Sequence, residues 1–247
     1  MPLSIQQKFL ILKKRGGGEP APQTLSQFLS SFNNLYQLID PTNTNNVSLN
    51  AGNISQVSDV SGNNMHILQA TTTKQPLYSI GGLNGKNAIY FDGVNDCLTT
   101  ANYSDGAFTK WYVWDMLTPA GFIEEIGSSY LWTNIGATAE ISRNGGFTNF
   151  NNTASWGLGK RIVCWRFDGT FAGHQLWVNG VLTRTSTGPS NPGTTPIVAT
   201  LNLGSRNNGA SGPSKGFLAH RSAYSRSLSN TEIANIFTRL NTEFNIY

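Results

Sequence analysis

The stretch Asp59–Leu98, DVSGNNMHILQATTTKQPLYSIGGLNGKNAIYFDGVNDCL, sets the fold that we expect for this chain. Its apolar run Ala88–Phe91 predicts a strand, and Asp92-Gly93 follows at once. Asp-Gly after an apolar run indicates a tight turn, because glycine adopts positive φ and aspartate bonds the backbone of its own turn. Asp59-Val-Ser-Gly62 gives the same signal upstream. Short strands broken at intervals of roughly ten residues by such turns are typical of a β-sandwich or barrel.

The rest of the chain continues this rhythm of strands and turns. Trp111–Leu117 carries apolar residues on both faces, which is typical of a central or covered strand. Asn179-Gly180, between His174–Val178 and Val181–Thr185, is the strongest hairpin signal. Further strands are predicted at 122–126, 139–142, 161–167, 196–203 and 217–224. The sequence therefore predicts an all-β chain.

Two segments have the apolar spacing of helices. Thr24 with Gln27 forms a capping box ahead of a helical lead-in predicted over residues 24–36. Ser229 with Glu232 forms another, ahead of a short C-terminal helix. The apolar face of that second helix comprises Ile233, Ile236, Phe237, Leu240 and Phe244.

Composition narrows the functional class. Only 12% of the 247 residues are charged, while aromatic residues make up 11%, which is typical of a loop-rich β protein rather than a disordered one. Most of the net charge of +4 lies in the first 22 residues, so the remaining body has no basic face of the kind that binds nucleic acid. No apolar run reaches the roughly 20 residues of a membrane span. Cys97 and Cys164 either pair across strands or are two buried thiols, and we favour the thiols.

Residues 1–22 are predicted to be an arm or tether, and residues 23–247 one domain. The arm contains Gly16-Gly17-Gly18 and a Pro-rich end, which favour an extended segment. We expect it either to be a disordered tail or to bind other subunits, including a neighbouring copy of this chain. The residues expected to bind the partner are apolar and then basic: Phe9, Leu10, Ile11, Leu12, Lys13, Lys14 and Arg15.

Several of these motifs together resemble one known family. They are Tyr36-Gln-Leu-Ile-Asp40, Val57-Ser-Asp59-Val-Ser-Gly62, Gln75-Pro-Leu-Tyr78, Asn84-Gly-Lys86, Phe91-Asp-Gly-Val-Asn95-Asp96, Leu176-Trp-Val-Asn-Gly180 and Arg226-Ser-Leu-Ser229. From about Leu35 onward the chain resembles concanavalin A-like lectin/glucanase domains of the laminin-G type, as found in bacteriophage virion proteins. One family tryptophan is Val57 here.

The resemblance implies a jelly-roll sandwich of two antiparallel sheets. It also implies a virion structural protein, as a capsid decoration, head-fibre or tail-associated component, whose domain binds surface glycans. A free lectin and a glycoside hydrolase are the alternatives. Because one fold can host all three functions, only the site residues can distinguish between them.

The sequence predicts no enzyme, because it lacks the catalytic motif expected for this fold. Glucanases of this fold place a Glu-x-Asp-x-Glu motif on one strand face, whereas Glu124-Glu125 are adjacent and face opposite ways. His66, His174 and His220 are isolated and are expected at the surface or in turns. No cofactor is implied. Asp92, Asn95 and Asp96 could bind calcium, but a turn explains them better.

Carbohydrate binding requires exposed aromatic rings beside amide or guanidinium groups. Five residues fit that description and are the predicted carbohydrate-binding set: Trp132, Asn134, Arg143, Asn144 and Trp156. A tryptophan is nevertheless more often part of a core than of a binding platform.

Overall fold

The computed structural model describes residues 23–118, 121–127, 129–134, 138–143, 146–150, 158–170, 173–185 and 196–247. Across these residues the backbone forms seventeen strands and two α-helices, α1 (Leu25–Ser30) and α2 (Asn230–Phe244). The strands are β1 (Leu35–Ile39), β2 (Val47–Asn50), β3 (Asn53–Val57), β4 (Ile67–Leu68), β5 (Leu77–Leu83), β6 (Lys86–Asp92), β7 (Leu98–Asp105), β8 (Phe108–Met116), β9 (Gly121–Ile126), β10 (Ser129–Asn134), β11 (Thr138–Arg143), β12 (Gly146–Phe150), β13 (Gly159–Phe167), β14 (Gln175–Val178), β15 (Val181–Thr185), β16 (Ile197–Leu203) and β17 (Lys215–Tyr224).

The strands pair antiparallel in two series. The first runs β5, β6, β17, β8, β13, β14 and β15, with β1 beside the second half of β17. The second runs β2, β3, β4, β7, β16, β9, β10, β11 and β12. The pair Asn53–Leu77 joins β3 to β5 and links both series into one antiparallel network. The all-β prediction is confirmed, while the division into a two-sheet jelly roll stays a prediction.

Among the residues that the structure describes, three hairpins have both central turn residues in the left-handed region. Ala51-Gly52, Asn84-Gly85 and Asn179-Gly180 have φ values of 49 and 88°, 49 and 80°, and 49 and 83°. Positive φ at both positions gives the turn a twist that matches the flanking strands. The hairpin predicted at Asn179-Gly180 is confirmed as the connection between β14 and β15.

The buried Asp59 carboxylate explains why the motif Asp59-Val-Ser-Gly62 predicts a turn. Backbone N–H groups of Leu38 and Ser61 donate to its Oδ1 at 2.8 and 2.9 Å, and that of Met65 donates to Oδ2 at 3.0 Å. A buried carboxylate needs such donors, and these come from β1 and from the turn itself. Val57, which stands where the family that the sequence resembles has a tryptophan, is fully buried.

Strand β8 has buried residues on both faces, as its sequence predicts. Tyr112, Trp114 and Met116 pack in a core that contains residues of both strand series. Trp111 and Val113 pack in a second core beneath α1 and α2. Period-two alternation distributes one strand between these two cores.

The helical lead-in predicted over residues 24–36 is wrong beyond residue 30. Helix α1 ends at Ser30, Asn34 has a φ of 68°, and Leu35 already pairs with Tyr224 in the sheet. Pairing with β17 outweighs the helical spacing, because tertiary context overrides local propensity. Both predicted capping boxes, at Thr24 and Ser229, are present. Among the described residues, no helix is long and apolar enough to span a bilayer.

The histidine predictions are partly wrong. His174 and His220 are fully buried. The Trp165 indole N–H donates to His174 Nε2 at 2.7 Å, and burial lowers the pKa of His220 to about 3, with a further contribution from the charge of Arg221. His220 lies on β17 and His174 directly precedes β14, and tertiary packing covers both residues. The cysteines Cys97 and Cys164 are buried and free, as favoured.

Candidate functional site

A polar cleft opens where the two strand series meet, and we call it the Tyr90 cleft. It has a volume of about 250 Å³. Its lining combines an aromatic ring, an aliphatic side chain, two carboxyl groups, two amides and two hydroxyls. The residues are Asn53, Thr72, Thr73, Gln75, Leu77, Tyr90, Asp92 and Asp96.

Strand register builds the apolar side of this cleft. Asn53 pairs with Leu77, Leu77 with Tyr90, and Tyr90 with Phe217, so four strands contribute one row. Side chains directly opposite one another lie on the same face of a sheet. The Tyr90 ring packs on the Phe217 ring at a centroid distance of 4.9 Å, while Leu77 stays 46% exposed. The row therefore presents a supported ring beside an exposed aliphatic group.

The carboxyl groups come from the Asp-Gly turn after β6. The Asp92 N–H donates to Asp96 Oδ2 at 2.8 Å, and the Val94 N–H donates to Asp92 Oδ1 at 2.7 Å. Tyr90 and Asp92 are two positions apart on β6 and so share a face. This turn therefore places a carboxyl group next to the aromatic ring.

The pKa of Asp96 is unusually high for a carboxyl group in a surface cleft. Burial raises the pKa of Asp96 to about 6; the N–H of Asp92 opposes the rise, and the neighbouring Asp92 carboxylate adds to it. Two adjacent carboxyl groups repel one another when both are ionised, which favours a proton on one of them. Asp96 can therefore accept or release a proton near neutral pH, and Asp92 beside it is a hydrogen-bond acceptor.

The far wall of the cleft is held by amide side chains. Gln75, only 6% exposed, donates to the Gln69 carbonyl at 2.7 Å. Gln69 in turn donates to Asn208 Oδ1 at 2.8 Å, and Lys74 Nζ donates to the Asn208 carbonyl at 2.7 Å. The 204–214 connection therefore supports the cleft from behind. Such support keeps binding groups oriented before a ligand arrives.

Two of the three residues considered as calcium ligands, Asp92 and Asp96, stabilise the turn. Asp96 Oδ2 and Asp92 Oδ1 both accept backbone N–H groups of the same turn. In the part of the chain that the structure describes, no group of three His, Cys, Asp or Glu side chains could hold a metal ion. The turn reading of Asp92 and Asp96 is therefore confirmed.

The predicted carbohydrate-binding residues fall elsewhere. Trp132 and Asn134 lie on β10, paired with Glu140 and Thr138 of β11, and Arg143 ends β11 opposite Gly146. The backbone thus brings these three positions onto adjacent strands, rather than onto the irregular segment that was expected between strands. Asn144 and Trp156 lie outside the described residues, as do the predicted partner-binding residues 9–15. Carbohydrate binding by the first set and partner binding by the second therefore stay predictions.

Tyr90 has no role predicted from the sequence, and Asp92 and Asp96 are predicted there only as turn residues or calcium ligands. One signal was available, because Tyr90 and Asp92 alternate with the buried Ile89 and Phe91. That pattern indicates a partly exposed face ending in a carboxyl group. The contributions of Asn53 and Gln75 had no local signal.

Comparisons with known proteins agree on the fold alone. No protein-family model matches the sequence, and no curated protein sequence matches it. Among solved structures, domain 4 of AbnA, a GH43 extracellular arabinanase from Geobacillus stearothermophilus in complex with arabinotriose, is similar. Its TM-score is 0.56 at 12% identity, covering 82% of this chain and 98% of that one.

Two further structures match at a similar level. Trypanosoma rangeli sialidase in complex with sialic acid gives a TM-score of 0.57 at 16% identity, covering 86% of this chain and 33% of that one. A GH54 α-L-arabinofuranosidase mutant soaked with 4-nitrophenyl α-L-arabinofuranoside gives 0.55 at 14% identity, covering 78% and 51%. The chain thus spans about a third of the sialidase and half of the arabinofuranosidase.

These matches correct one expectation from the sequence. The prediction that the chain is not an enzyme is wrong, because chains of glycoside hydrolases are prominent among the structures that share its fold. Glu124 and Glu125 do face opposite ways, toward Arg221 and Arg206 respectively. The lack of one strand motif excluded a single arrangement of catalytic carboxylates, and the fold accommodates others.

Proposed function

We propose that this chain is a carbohydrate-binding β-sandwich and that the Tyr90 cleft holds a sugar unit. One observation carries the proposal: the cleft places a supported aromatic ring beside carboxyl, amide and hydroxyl groups. Ligand sites characteristically combine an apolar wall with a few convergent polar groups. A sugar ring offers the matching surfaces, with C–H groups on its face and hydroxyl groups at its edge.

Each lining group has a role in this proposal. The Tyr90 ring and Leu77 pack against the C–H face of the sugar. Asp92 accepts hydrogen bonds from sugar hydroxyls, while the Asn53 amide both donates and accepts. Asp96, which is more buried, orients Asp92 through the turn that they share.

The charge of the cleft favours uncharged sugars. Two of its eight lining residues are acidic and none is basic. A carboxylate on the sugar would face the carboxyl groups of Asp92 and Asp96, and such like-charge contacts discriminate between ligands. We therefore propose neutral oligosaccharides rather than sialylated ones. Similarity to a domain in complex with arabinotriose supports this choice, because arabinose is a neutral sugar.

The test is a binding screen by isothermal titration calorimetry. Arabinotriose and other neutral oligosaccharides are compared with sialylated ones, and each mixture is assayed for released reducing sugar. We expect binding of at least one neutral oligosaccharide, weakened about fivefold by Tyr90→Ala, since aromatic contacts contribute about 1 kcal/mol. Tyr90→Phe retains the ring and should retain affinity.

A matched control separates the cleft from general effects of removing an aromatic residue. Tyr247 is 54% exposed and does not line the cleft, so Tyr247→Ala should bind like the wild type. Equal affinity of Tyr90→Ala and wild type would overturn the assignment of the cleft. Absence of binding to every oligosaccharide tested would overturn the proposed function.

We also propose that the domain is part of a bacteriophage virion and that residues 1–22 attach it to other virion proteins. The family resemblance supports this location, together with the four basic residues against one acidic residue in the arm. Deleting residues 1–22 should leave the melting temperature nearly unchanged, because the described cores begin at Leu25. The same deletion should abolish incorporation into particles. Full occupancy by the truncated protein, or its failure to fold, would contradict the proposal.

A further inference from the structure

Lys110 of β8 holds its ammonium group entirely inside the protein. Its Nζ lies 3.0 Å from Asp105 Oδ1 and 2.9 Å from Glu124 Oε1, and all three side chains have no exposed surface. Such complete burial of a lysine is uncommon. The amine and the carboxyl groups are therefore fixed against one another without bulk solvent between them.

The two carboxyl groups around Lys110 lie at different places in the fold. Glu124 is anchored through Oε2, which accepts from Arg221 Nε at 2.7 Å and from the Tyr112 hydroxyl at 2.9 Å. Its Oε1 faces Lys110. Asp105 ends β7 and leads into the turn before β8. Glu124 is thus held as a fixed group, and Asp105 is the carboxyl group at a chain turn.

Aromatic rings enclose the amine on its remaining sides. Lys110 Nζ lies 4.1 Å from the ring centroid of Phe108, 4.8 Å from that of Trp165 and 5.5 Å from that of Tyr103. An apolar enclosure keeps bulk water from separating the amine and the carboxyl groups, and so strengthens their contact. It also excludes the water that would hydrolyse an amide.

We propose that Lys110 and Asp105 condense spontaneously to an intramolecular isopeptide bond, with Glu124 as the proton relay. The lysine Nζ attacks Asp105 Cγ, an N–C bond forms, and one C–O bond of the carboxyl group breaks. Two of the three ammonium protons leave with the released oxygen as water, and the third remains on the amide nitrogen. Charge balances, because one cation and one anion become a neutral amide and a neutral water molecule.

Glu124 carries the two protons in turn from nitrogen to oxygen. It begins and ends ionised, in keeping with its contacts to Arg221 and Tyr112. Positioning lowers the activation barrier further, because reacting groups held in contact need no bimolecular encounter. No oxidant, metal or cofactor is required. The bond would join β7 of the second strand series to β8 of the first.

Intact-mass spectrometry of the purified, folded full-length protein tests this proposal. We expect a mass lower than the sequence mass by one water molecule. Chymotryptic cleavage after Phe108 should leave the peptides carrying Asp105 and Lys110 joined, because the new bond spans the cut. Fragmentation should place the link on Asp105 rather than on Glu124.

Two variants and an internal control sharpen the result. Glu124→Gln keeps Lys110 and Asp105 but removes the relay, so the water loss should disappear or become much slower. Lys110→Met removes the amine and should show the full sequence mass. Lys86 and Glu243 lie 2.6 Å apart with side chains 38% and 29% exposed, and should remain unlinked.

The wild-type mass decides even where a variant does not fold. A full sequence mass for folded wild-type protein would overturn the proposal. Linkage of Lys110 to Glu124, or an equal water loss in Lys110→Met, would overturn the assignment to Lys110 and Asp105.

Discussion

Glu124 and Asp96 are both almost fully buried carboxyl groups, yet their pKa values shift in opposite directions. Glu124 lies in the core between the strand series, and Asp96 lies in the Tyr90 cleft. Burial alone would raise the pKa of Glu124, but the charges of Arg221 and Lys110 lower it to about 2. Burial raises the pKa of Asp96 to about 6, and the charge of Asp92 adds to the rise.

The difference shows that the partners of a buried carboxyl group matter more than its burial. Glu124 Oε2 accepts hydrogen bonds from Arg221 and Tyr112, and its Oε1 faces Lys110, so the group stays ionised inside the core. Asp96 has a backbone N–H and another carboxyl group as neighbours, so its proton is retained to higher pH. We infer that the interior group serves structure and cross-linking chemistry, while the cleft group remains responsive to a ligand.

Arg221 and Glu124 form the interior pair. Removing the cationic group of Arg221 should have the largest effect on stability. Arg221→Met leaves Glu124 buried beside fewer positive charges, and breaking a buried pair in this way costs about 3 to 5 kcal/mol. Urea unfolding at pH 7 measures the loss of unfolding free energy.

The exposed pair Lys86–Glu243 provides the control for that variant. Its side chains are 38% and 29% exposed, so Lys86→Met should cost less than about 1 kcal/mol. Similar losses for Arg221→Met and Lys86→Met would show that burial adds nothing to the interior pair.

A substitution behind the cleft should have a smaller effect. Gly209 has a φ of 84°, and an added Cβ would lie 2.2 Å from the backbone oxygen of Asn95. Gly209→Ala should therefore displace the turn that carries Asp92 and Asp96, with a loss of about 1 to 3 kcal/mol. Thermal unfolding and oligosaccharide titration report the two consequences.

Gly85 separates backbone strain from this contact. It has a φ of 80°, but an added Cβ would meet nothing within 4 Å. Gly85→Ala should cost only the strain of positive φ, about 1 kcal/mol, and should leave oligosaccharide affinity unchanged. If both variants bind equally weakly, contact with Asn95 is not what holds the cleft.

The pH dependence that Asp96 confers should be the smallest of the three effects. Its folded-state pKa of about 6 exceeds its ordinary value of 3.8, so the folded protein keeps a proton that the unfolded chain has lost. Stability should therefore fall as pH rises from about 4 to about 6. Glu124, with its lowered pKa, works the other way and stabilises above about pH 4.5.

Asp96→Asn isolates the contribution of the cleft. The difference in unfolding free energy between wild type and variant should change by about 1 to 2 kcal/mol between pH 4 and pH 7. Urea titrations at both pH values measure it. Parallel curves for the two proteins would mean that Asp96 does not titrate near pH 6.

Local chemistry explains which parts of the fold could be predicted. Asn179-Gly180 and Asp59-Val-Ser-Gly62 each specify their own turn, since the required φ values and hydrogen bonds arise within a few residues. The capping boxes at Thr24 and Ser229 are equally local. The extent of α1 was not predictable in this way, because Leu35 is drawn into the sheet by Tyr224, far along the chain.

The Tyr90 cleft depends on contacts between distant parts of the sequence. Asn53, Leu77 and Tyr90 become neighbours only through pairing of β3, β5 and β6. The same holds for Glu124 and Arg221, which meet across the core. Alternation could indicate which face each residue occupies, but not which strand would lie opposite.

The most direct test of the central claim is an NMR titration of isotopically labelled protein with arabinotriose or the best neutral ligand from the screen. The Tyr90-cleft account predicts that the largest shifts occur at the backbone amides of Asn53, Thr72, Tyr90 and Asp92. The sequence-based prediction placed binding at Trp132, Asn134 and Arg143 instead. Saturable shifts confined to those positions on β10 and β11, with Tyr90 and Asp92 unmoved, would contradict the account.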